Sequence, residues 1–323
     1  MIQENVGNEV KLNGFINVDK PLGMTSNDVV AKVKRMLRPL FGKVKIGHTG
    51  TLDPLASGVL PIAIGEATKT VAFQMENRKT YEFSIVFGEA RSTDDAEGEV
   101  VEKTDVRPDV EAIKPVLSSF LGKISQVPPK YSAIKIDGKR AYDLARKGVE
   151  FEMKARENFI HSFELLETKV DSMGKVVEAK FSVCANKGFY VRAVARDVAV
   201  ALGSLGYVSY LRRVENGPFN LGNAITLDKL EKILQNGEQS LDVRKFDDDI
   251  LLPVSCGLND ILALDINEWQ NEKLRNGQWV KPSENVAETL SSGSLYKVLS
   301  SSKLSAIVKY DGGLLKTERV FNL

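Results

Sequence analysis

The sequence predicts an α+β protein with a large N-terminal unit, residues 1–252, and a small β-rich C-terminal unit, residues 253–323. Strands are indicated where apolar and polar residues alternate, most clearly over 80–87 and 180–185. Amphipathic helices are indicated where apolar residues recur every three or four positions. A terminal hairpin is predicted by two apolar runs that flank Asp311-Gly312-Gly313.

The first helix is predicted to begin after Gly23, because Thr25 and Asp28 have the spacing of a capping box. An apolar stripe follows up to Leu37, and Pro39 is predicted to end the helix. The next segment, 45–69, contains four glycines and two prolines. These glycines and prolines predict a loop-rich segment, shaped for function or for tight turns.

Tyr81 stands at the leading end of the first clear strand, on the same side as Phe83, Ile85 and Phe87. The predicted elements from this point on are a strand over 80–87, an acidic turn over 90–98, a helix over 109–121, a hairpin turn at Asp137-Gly138, a short helix over 140–147, a strand over 180–185, and helices over 191–202 and 227–234.

Composition limits the classes of function. With 43% hydrophobic residues in a chain of 323, there is material for a sizeable core. Two cysteines cannot form a disulfide framework, and two histidines leave little room for a histidine-rich metal site. No phosphate-binding or dinucleotide-binding glycine motif occurs. The N-terminal residues lack a signal-peptide pattern and no apolar stretch approaches the ~20 residues of a membrane span, so a cytoplasmic soluble protein is expected.

The net charge of +1 argues at first sight against a protein that grips nucleic acid by charge alone. The charges are unevenly distributed, however. Residues 130–149 hold two acidic residues and six basic ones, a local net charge of +4, whereas residues 242–288 hold ten acidic and five basic residues. The six basic residues are Lys130, Lys135, Lys139, Arg140, Arg146 and Lys147.

Asp53 is the first candidate for chemistry, in the run from Gly47 to Gly58. An aspartate before a proline is often a turn residue whose carboxylate bonds nearby amides. The functional alternative is a nucleophilic or acid–base carboxylate that small neighbours hold rigidly. His48 is close enough in sequence to reach the same cleft, but a lone histidine is more often structural. The residues alone leave both alternatives open.

Several segments together resemble the bacterial TruB-type tRNA pseudouridine synthases. They occur in the family's order over roughly Gly14 to Pro253, and the run around Asp53 is the most specific. The matching segments are 14–26, 47–61, Glu66-Ala67-Thr68-Lys69, Lys79-Thr80-Tyr81, 129–133, 187–192 and Leu211-Arg212-Arg213.

This resemblance implies the isomerisation of uridine 55 in the tRNA T-loop to pseudouridine, without a cofactor and without an essential metal. The N-glycosidic bond breaks, the uracil turns and a C5–C1′ bond forms. Three routes stay open for this family, namely attack at C1′ with uracil leaving, attack at C6, and a glycal route. The implied fold is the pseudouridine synthase fold, whose central sheet is mixed, mainly antiparallel and flanked by helices. A small PUA-like domain, β-rich and RNA-binding, is expected at the C-terminus, although the acidic excess there weakens an RNA-binding role.

The resemblance also implies roles for single residues. Asp53 matches the catalytic nucleophile, Tyr81 the tyrosine that stacks on the flipped base and helps to remove the C5 proton, and Arg192 the arginine that pairs with the aspartate. The implied substrate-binding residues are His48, Tyr190, Leu211, Lys20 and Lys69. Each has a plainer alternative, which is core packing for the tyrosines and Leu211 and a structural or surface role for His48 and the basic residues.

Residues 126–154 match the family's insertion, which closes over the tRNA, and its six basic residues are the expected contacts to the RNA backbone. A solvated hairpin is the alternative. Phe189 and Ala193 depart from the small polar residues that are common there in the family. The expected partner is tRNA, through its T-loop and T-stem, bound by a monomer without guide RNA or membrane. Two other functions stay open, a non-catalytic tRNA-folding chaperone and a guide-RNA-dependent synthase of the dyskerin type.

Overall fold

The computed structural model describes residues 2–3, 11–237 and 250–323. Its strands are β1 (Ile2–Gln3), β2 (Lys11–Leu12), β3 (Gly14–Lys20), β4 (Ile46–His48), β5 (Ala56–Ile64), β6 (Lys79–Phe87), β7 (Glu89–Arg91), β8 (Val100–Lys103), β9 (Gly122–Gln126), β10 (Lys135–Ile136), β11 (Lys139–Arg140), β12 (Arg156–Val170), β13 (Val176–Ala185), β14 (Gly206–Asn216), β15 (Phe219–Asn220), β16 (Ile225–Thr226), β17 (Ala263–Asp265), β18 (Leu295–Ser300), β19 (Lys303–Asp311) and β20 (Leu314–Val320). The helices up to residue 237 are α1 (Ser26–Phe41), α2 (Val71–Gln74), α3 (Val110–Ser119), α4 (Ala141–Arg146), α5 (Val191–Ala201) and α6 (Leu227–Gly237), and two further helices cover Glu268–Arg275 and Glu284–Ala287.

A mixed sheet of ten strands forms the centre of the fold. Eight strands follow the order β16-β3-β5-β14-β6-β13-β12-β9, while β4 also pairs with β5 and β15 with β14. Strands β5 and β14 are parallel, as are β3 and β16, and the other pairs are antiparallel. This confirms the α+β class and the mixed, mainly antiparallel sheet.

Helices α1, α3, α5 and α6 cover one face of this sheet through a shared apolar core. Helix α1 has the predicted capping box, in which the Thr25 hydroxyl accepts from the Asp28 N–H at 3.1 Å and the Asp28 carboxylate accepts from the Thr25 N–H at 2.9 Å. The predicted end at Pro39 is wrong, because the helix continues to Phe41. A proline in the last turn removes only one backbone donor, and the Arg38 carbonyl still accepts from Gly42 at 3.0 Å.

The loop-rich prediction for 45–69 is wrong for most of the segment. Strands β4 and β5 occupy much of it, and β5 is almost entirely buried. Gly58 lies inside β5 at φ +100°, where a Cβ would come within 2.1 Å of the backbone oxygen of Arg213. This glycine therefore permits a close approach of two strands rather than a turn. Between β4 and β5 a loop over 49–55 remains, and it carries Asp53.

Strands β12 and β14 are long, and the sequence patterns do not predict either of them. Both contain register shifts against their neighbours, between Ile160 and Ser162 in β12 and between Val208 and Tyr210 in β14, for example. An extra residue at such a bulge shifts the later side chains to the other face, which breaks the alternation that marks a strand.

The C-terminal β domain contains a four-stranded sheet in the order β17-β18-β19-β20. Its terminal hairpin, β19 and β20, confirms the hairpin prediction. Leu304, Ile307 and Phe321 pack with Phe15 and Val59 on the face of β3 and β5 opposite the helices. Part of the acidic stretch, residues 242–249, lies outside the described residues. No helix within the described ranges is long and apolar enough to cross a membrane.

Candidate active site

A cavity of about 750 Å³ opens where the 49–55 loop, the start of β6, the middle of β14 and the N-terminus of α5 meet. Its volume falls in the range of small-molecule sites. Five of the predicted site residues line this one cavity, although they are far apart in sequence. They are Asp53, Tyr81, Tyr190, Arg192 and Leu211.

The loop that carries Asp53 is held by the first turn of α1 and by the chain before it. The Ser26 hydroxyl accepts from the Leu52 N–H at 2.8 Å and lies 3.2 Å from the Leu52 carbonyl. The Pro54 carbonyl accepts from the Gly23 N–H at 2.9 Å. These bonds fix the backbone on both sides of Asp53, so its carboxylate has a defined position.

The Asp53 carboxylate is paired with Arg192 and still reaches the cavity. Nη2 of Arg192 lies 2.8 Å from Oδ2 of Asp53, and Nη1 lies 3.2 Å from Oδ2 of Asp95. The side chain of Asp53 is 42% exposed, whereas those of Arg192 and Asp95 are each 8% exposed. Arg192 therefore orients and neutralises a carboxylate that a substrate can contact.

Two backbone carbonyls complete the surroundings of the Arg192 guanidinium. It donates to the Thr93 carbonyl and to the Tyr131 carbonyl, each at 3.0 Å. The arginine thus joins the 49–55 loop, the acidic turn over 90–98 and the first part of the basic stretch over 130–149. Sequence reasoning missed Asp95, because its only signal was one aspartate among several acidic residues in a turn.

Arg213 is a second residue that sequence reasoning did not assign to the site. It lines the cavity, is 1% exposed, and lies opposite Tyr81 in the register of β14 and β6. It occurred in the matching segment Leu211-Arg212-Arg213, but β14 was not predicted, so nothing placed this side chain beside Tyr81.

Tyr190 and Leu211 form parts of the cavity wall. The backbone N–H and carbonyl of Tyr190 bond to the Gln126 side chain at 3.2 Å each, which fixes the residue just before α5. Burial raises the pKa of the Tyr190 phenol, and the nearby charge of Arg156 partly offsets this.

His48, Lys20 and Lys69 lie outside the set of side chains that lines the cavity. Nδ1 of His48 accepts from the Gly50 N–H at 3.3 Å, and burial, with the charge of Arg213, lowers the pKa of this imidazole. Nζ of Lys69 donates to Glu66 at 2.6 Å and to the Val320 carbonyl at 2.8 Å. That contact ties Lys69 to the C-terminal sheet. The substrate-binding roles of the three residues stay predictions.

Lys20 is buried next to the 49–55 loop. Its ammonium donates to the carbonyls of Met24 at 2.6 Å, Pro21 at 3.1 Å and Pro54 at 3.4 Å. Burial lowers the pKa of Lys20 to about 8, although the charge of Asp53 acts in the opposite direction. The contacts favour the structural alternative, in which Lys20 braces the backbone next to Asp53.

The basic insertion lies next to the cavity, since Ser132 and Ala133 belong to its wall. Strands β10 and β11 form the predicted hairpin, with Asp137 at φ +48° and Gly138 at φ +81° in the turn. All six basic residues of the stretch are exposed, namely Lys130, Lys135, Lys139, Arg140, Arg146 and Lys147. Within the described residues no cluster of three or more histidine, cysteine or acidic side chains is arranged to hold a metal ion.

Comparison with known proteins identifies the family. Residues 38–191 match the model of the TruB family pseudouridylate synthase N-terminal domain, and residues 192–259 match the tRNA pseudouridylate synthase B C-terminal domain. The chain is 42% identical over 316 residues to tRNA pseudouridine synthase B of Rhodospirillum rubrum, with 97% of each chain covered. It is 44% identical over 329 residues to the protein of the same name in Bradyrhizobium diazoefficiens, covering 99% of this chain and 90% of that one.

Solved structures agree on the fold. A chain in the crystal structure of a Cbf5-Nop10-Gar1 complex superposes with a TM-score of 0.73 and 25% identity, over 96% of this chain and 85% of that one. A chain in an H/ACA RNP bound to a substrate RNA gives a TM-score of 0.72 at 23% identity, with the same coverage. From the family models and the full-length relatives it follows that the chain belongs to the TruB family of pseudouridylate synthases.

Proposed function

We propose that the protein isomerises uridine 55 in the T-loop of tRNA to pseudouridine, with Asp53 as the nucleophile. The observation that carries the proposal is the Asp53 carboxylate, which Arg192 holds at 2.8 Å while its side chain stays 42% exposed beside the cavity. The relatives named tRNA pseudouridine synthase B support tRNA as the substrate.

The reaction is an isomerisation, so no atom is added to the nucleotide or removed from it. It requires a uridine that has been flipped out of the stacked bases of the T-loop. Asp53 attacks C1′ of the flipped uridine, the N1–C1′ bond breaks, and its electron pair stays on the uracil. The uracil turns within the cavity, C5 attacks C1′, and the bond to Asp53 breaks. The proton of C5 then leaves and N1 is protonated. Tyr81 stacks on the uracil and assists the loss of the C5 proton.

The charge around the cavity suits an anionic substrate and an anionic leaving group. Arg192, Arg213 and Lys79 are all among the lining residues. Burial lowers the pKa of Lys79 to about 8, and the charge of Arg213 acts in the same direction. Cations in a partly desolvated site stabilise the negative charge that develops on uracil when the glycosidic bond breaks.

The basic insertion would hold the RNA backbone. Its six exposed cations stand beside the cavity and can contact phosphates without reading a sequence. Shape and base flipping would then supply most of the selectivity for a folded T-loop.

The test is to incubate the purified chain with an unmodified tRNA transcript, without guide RNA, and to map pseudouridine along the transcript. The proposal expects modification at position 55. Modification that requires an added guide RNA would favour the dyskerin-type alternative, and modification at another position would contradict the assigned specificity. Refolding of tRNA without any pseudouridine would leave only the chaperone alternative.

A further inference from the structure

Arg213 is a buried cation without an acidic partner among the described residues. It is 1% exposed, and burial lowers its pKa because the charged form loses water. The adjacent Arg212 points to the other face of β14 and pairs with Asp19 at 2.7 Å. Of these two neighbouring arginines in β14, Arg212 thus has a carboxylate partner, whereas Arg213 is buried without one in the described part of the chain.

Three neutral groups surround the Arg213 guanidinium instead of a carboxylate. Nε donates to the Val59 carbonyl at 2.7 Å and Nη2 donates to the Gly50 carbonyl at 3.1 Å. The Tyr81 phenol is the third group, and as a polar neighbour it raises the pKa of Arg213. The strand register explains this arrangement, since Arg213 is paired with Gly58 on β5 and with Tyr81 on β6. The Arg213 side chain therefore joins the 49–55 loop, β5 and β6.

A buried charge of this kind is expensive to maintain, and an apolar side chain of similar volume is often as stable or more stable. Strongly perturbed ionisable groups in a cleft are therefore candidates for a functional role. Arg213 meets this condition, since it lines the cavity together with Asp53 and Tyr81.

We propose that Arg213 is a positioning residue, which fixes the Tyr81 phenol relative to the 49–55 loop that carries Asp53. Through this contact the Tyr81 ring has a defined place against the uracil when Asp53 attacks. The role rests on the proposed function, in which Tyr81 stacks on the flipped base. Beyond the effect of its charge, Arg213 acts through Tyr81 and touches no reacting atom itself.

A double-mutant cycle separates this role from a merely structural one. Arg213→Lys keeps the charge but loses the planar fork that bonds two carbonyls beside the Tyr81 phenol. We expect it to lower the single-turnover rate on tRNA about 10- to 150-fold, the range for loss of a hydrogen bond from a charged donor, with tRNA affinity within threefold. In a Tyr81→Phe background the same change is expected to cost less than threefold. Arg212→Lys is the matched control and should leave the rate within threefold.

Equal rate losses from Arg213→Lys in both backgrounds would overturn the proposal, as would a loss confined to tRNA affinity. A second measurement needs no activity. With 3-fluorotyrosine incorporated, the ¹⁹F resonance of Tyr81 is assigned by its absence in Tyr81→Phe. Arg213→Lys should shift this resonance and Arg212→Lys should not. An unmoved resonance would overturn the positioning role, whereas failure of the proposed function would show as a wild-type protein that leaves uridine 55 unmodified.

Discussion

Asp95→Asn tests how the position of Asp53 depends on the ion-pair network behind it. In the wild-type protein, Arg192 is shared between Asp53 at 2.8 Å and Asp95 at 3.2 Å, and the side chains of Arg192 and Asp95 are each 8% exposed. Asparagine keeps an oxygen acceptor at this place but removes the charge. Arg192 is then expected to move toward Asp53 and to pull its carboxylate away from the substrate.

The magnitude follows from the geometry. Removal of a partner from a buried ion pair costs about 3–5 kcal/mol when the remaining charge has no other partner. Here Arg192 keeps Asp53, so the loss of one charge-assisted hydrogen bond, about 1.5–3 kcal/mol, is the better measure. If this loss falls on the transition state, the single-turnover rate decreases about 10- to 150-fold.

The assay is tritium release from C5-labelled uridine in tRNA under single-turnover conditions, together with thermal unfolding. Asp94→Asn is the matched control, because Asp94 pairs with Arg196, one turn further along α5, at 3.0 Å. Asparagine also tolerates the backbone of Asp94, which has φ +59°. An Asp95→Asn rate within threefold of the wild-type rate, or equal losses in both variants, would show that Asp95 does not position Asp53 through Arg192.

Three further outcomes are expected. Gly58→Ala should lower the free energy of unfolding by about 2–5 kcal/mol, because its Cβ would meet a backbone oxygen at 2.1 Å, whereas a Cβ at Gly47 meets nothing within 4 Å; equal urea midpoints for the two alanine variants would contradict this. The pKa of His48 is lowered from 6.5, so the unfolded chain binds more protons just below that pH. Stability should therefore fall as the pH drops below about 6.5, and His48→Gln should weaken this dependence; an unchanged dependence in urea titrations would contradict it. tRNA affinity should depend on salt with a log–log slope of only a few phosphates, about −2 to −5, and Lys139→Ala should reduce its magnitude by about 1; a wild-type slope near −10 would contradict the charge argument.

The fold was predictable where the signal is local. Thr25 and Asp28 mark the start of α1 because a capping box depends on residues three positions apart. Strand β6 shows its alternation because it pairs without a bulge against β13. Strands β12 and β14 were not predicted, because their bulges break the alternation of apolar and polar residues. Strand β5 was not predicted, because Gly58 and Pro61 within it are residues typical of loops.

The candidate site was predictable only as far as the family resemblance reached. Asp53, Tyr81 and Arg192 were named from the matching segments, and the structure brings them to one cavity. Asp95 and Arg213 were missed, because each acts through a partner that is far away in sequence. The contacts of Asp95 with Arg192 and of Arg213 with Tyr81 exist only in the folded chain.

The nucleophilic role of Asp53 is tested most directly by Asp53→Asn, with pseudouridine mapped at position 55 of an unmodified tRNA transcript. Asparagine keeps the size of the side chain and removes the negative charge that the proposed attack on C1′ requires. We expect a folded variant with tRNA affinity near that of the wild type and without measurable pseudouridine in a single-turnover reaction. Pseudouridine formed by Asp53→Asn at the wild-type rate would contradict it.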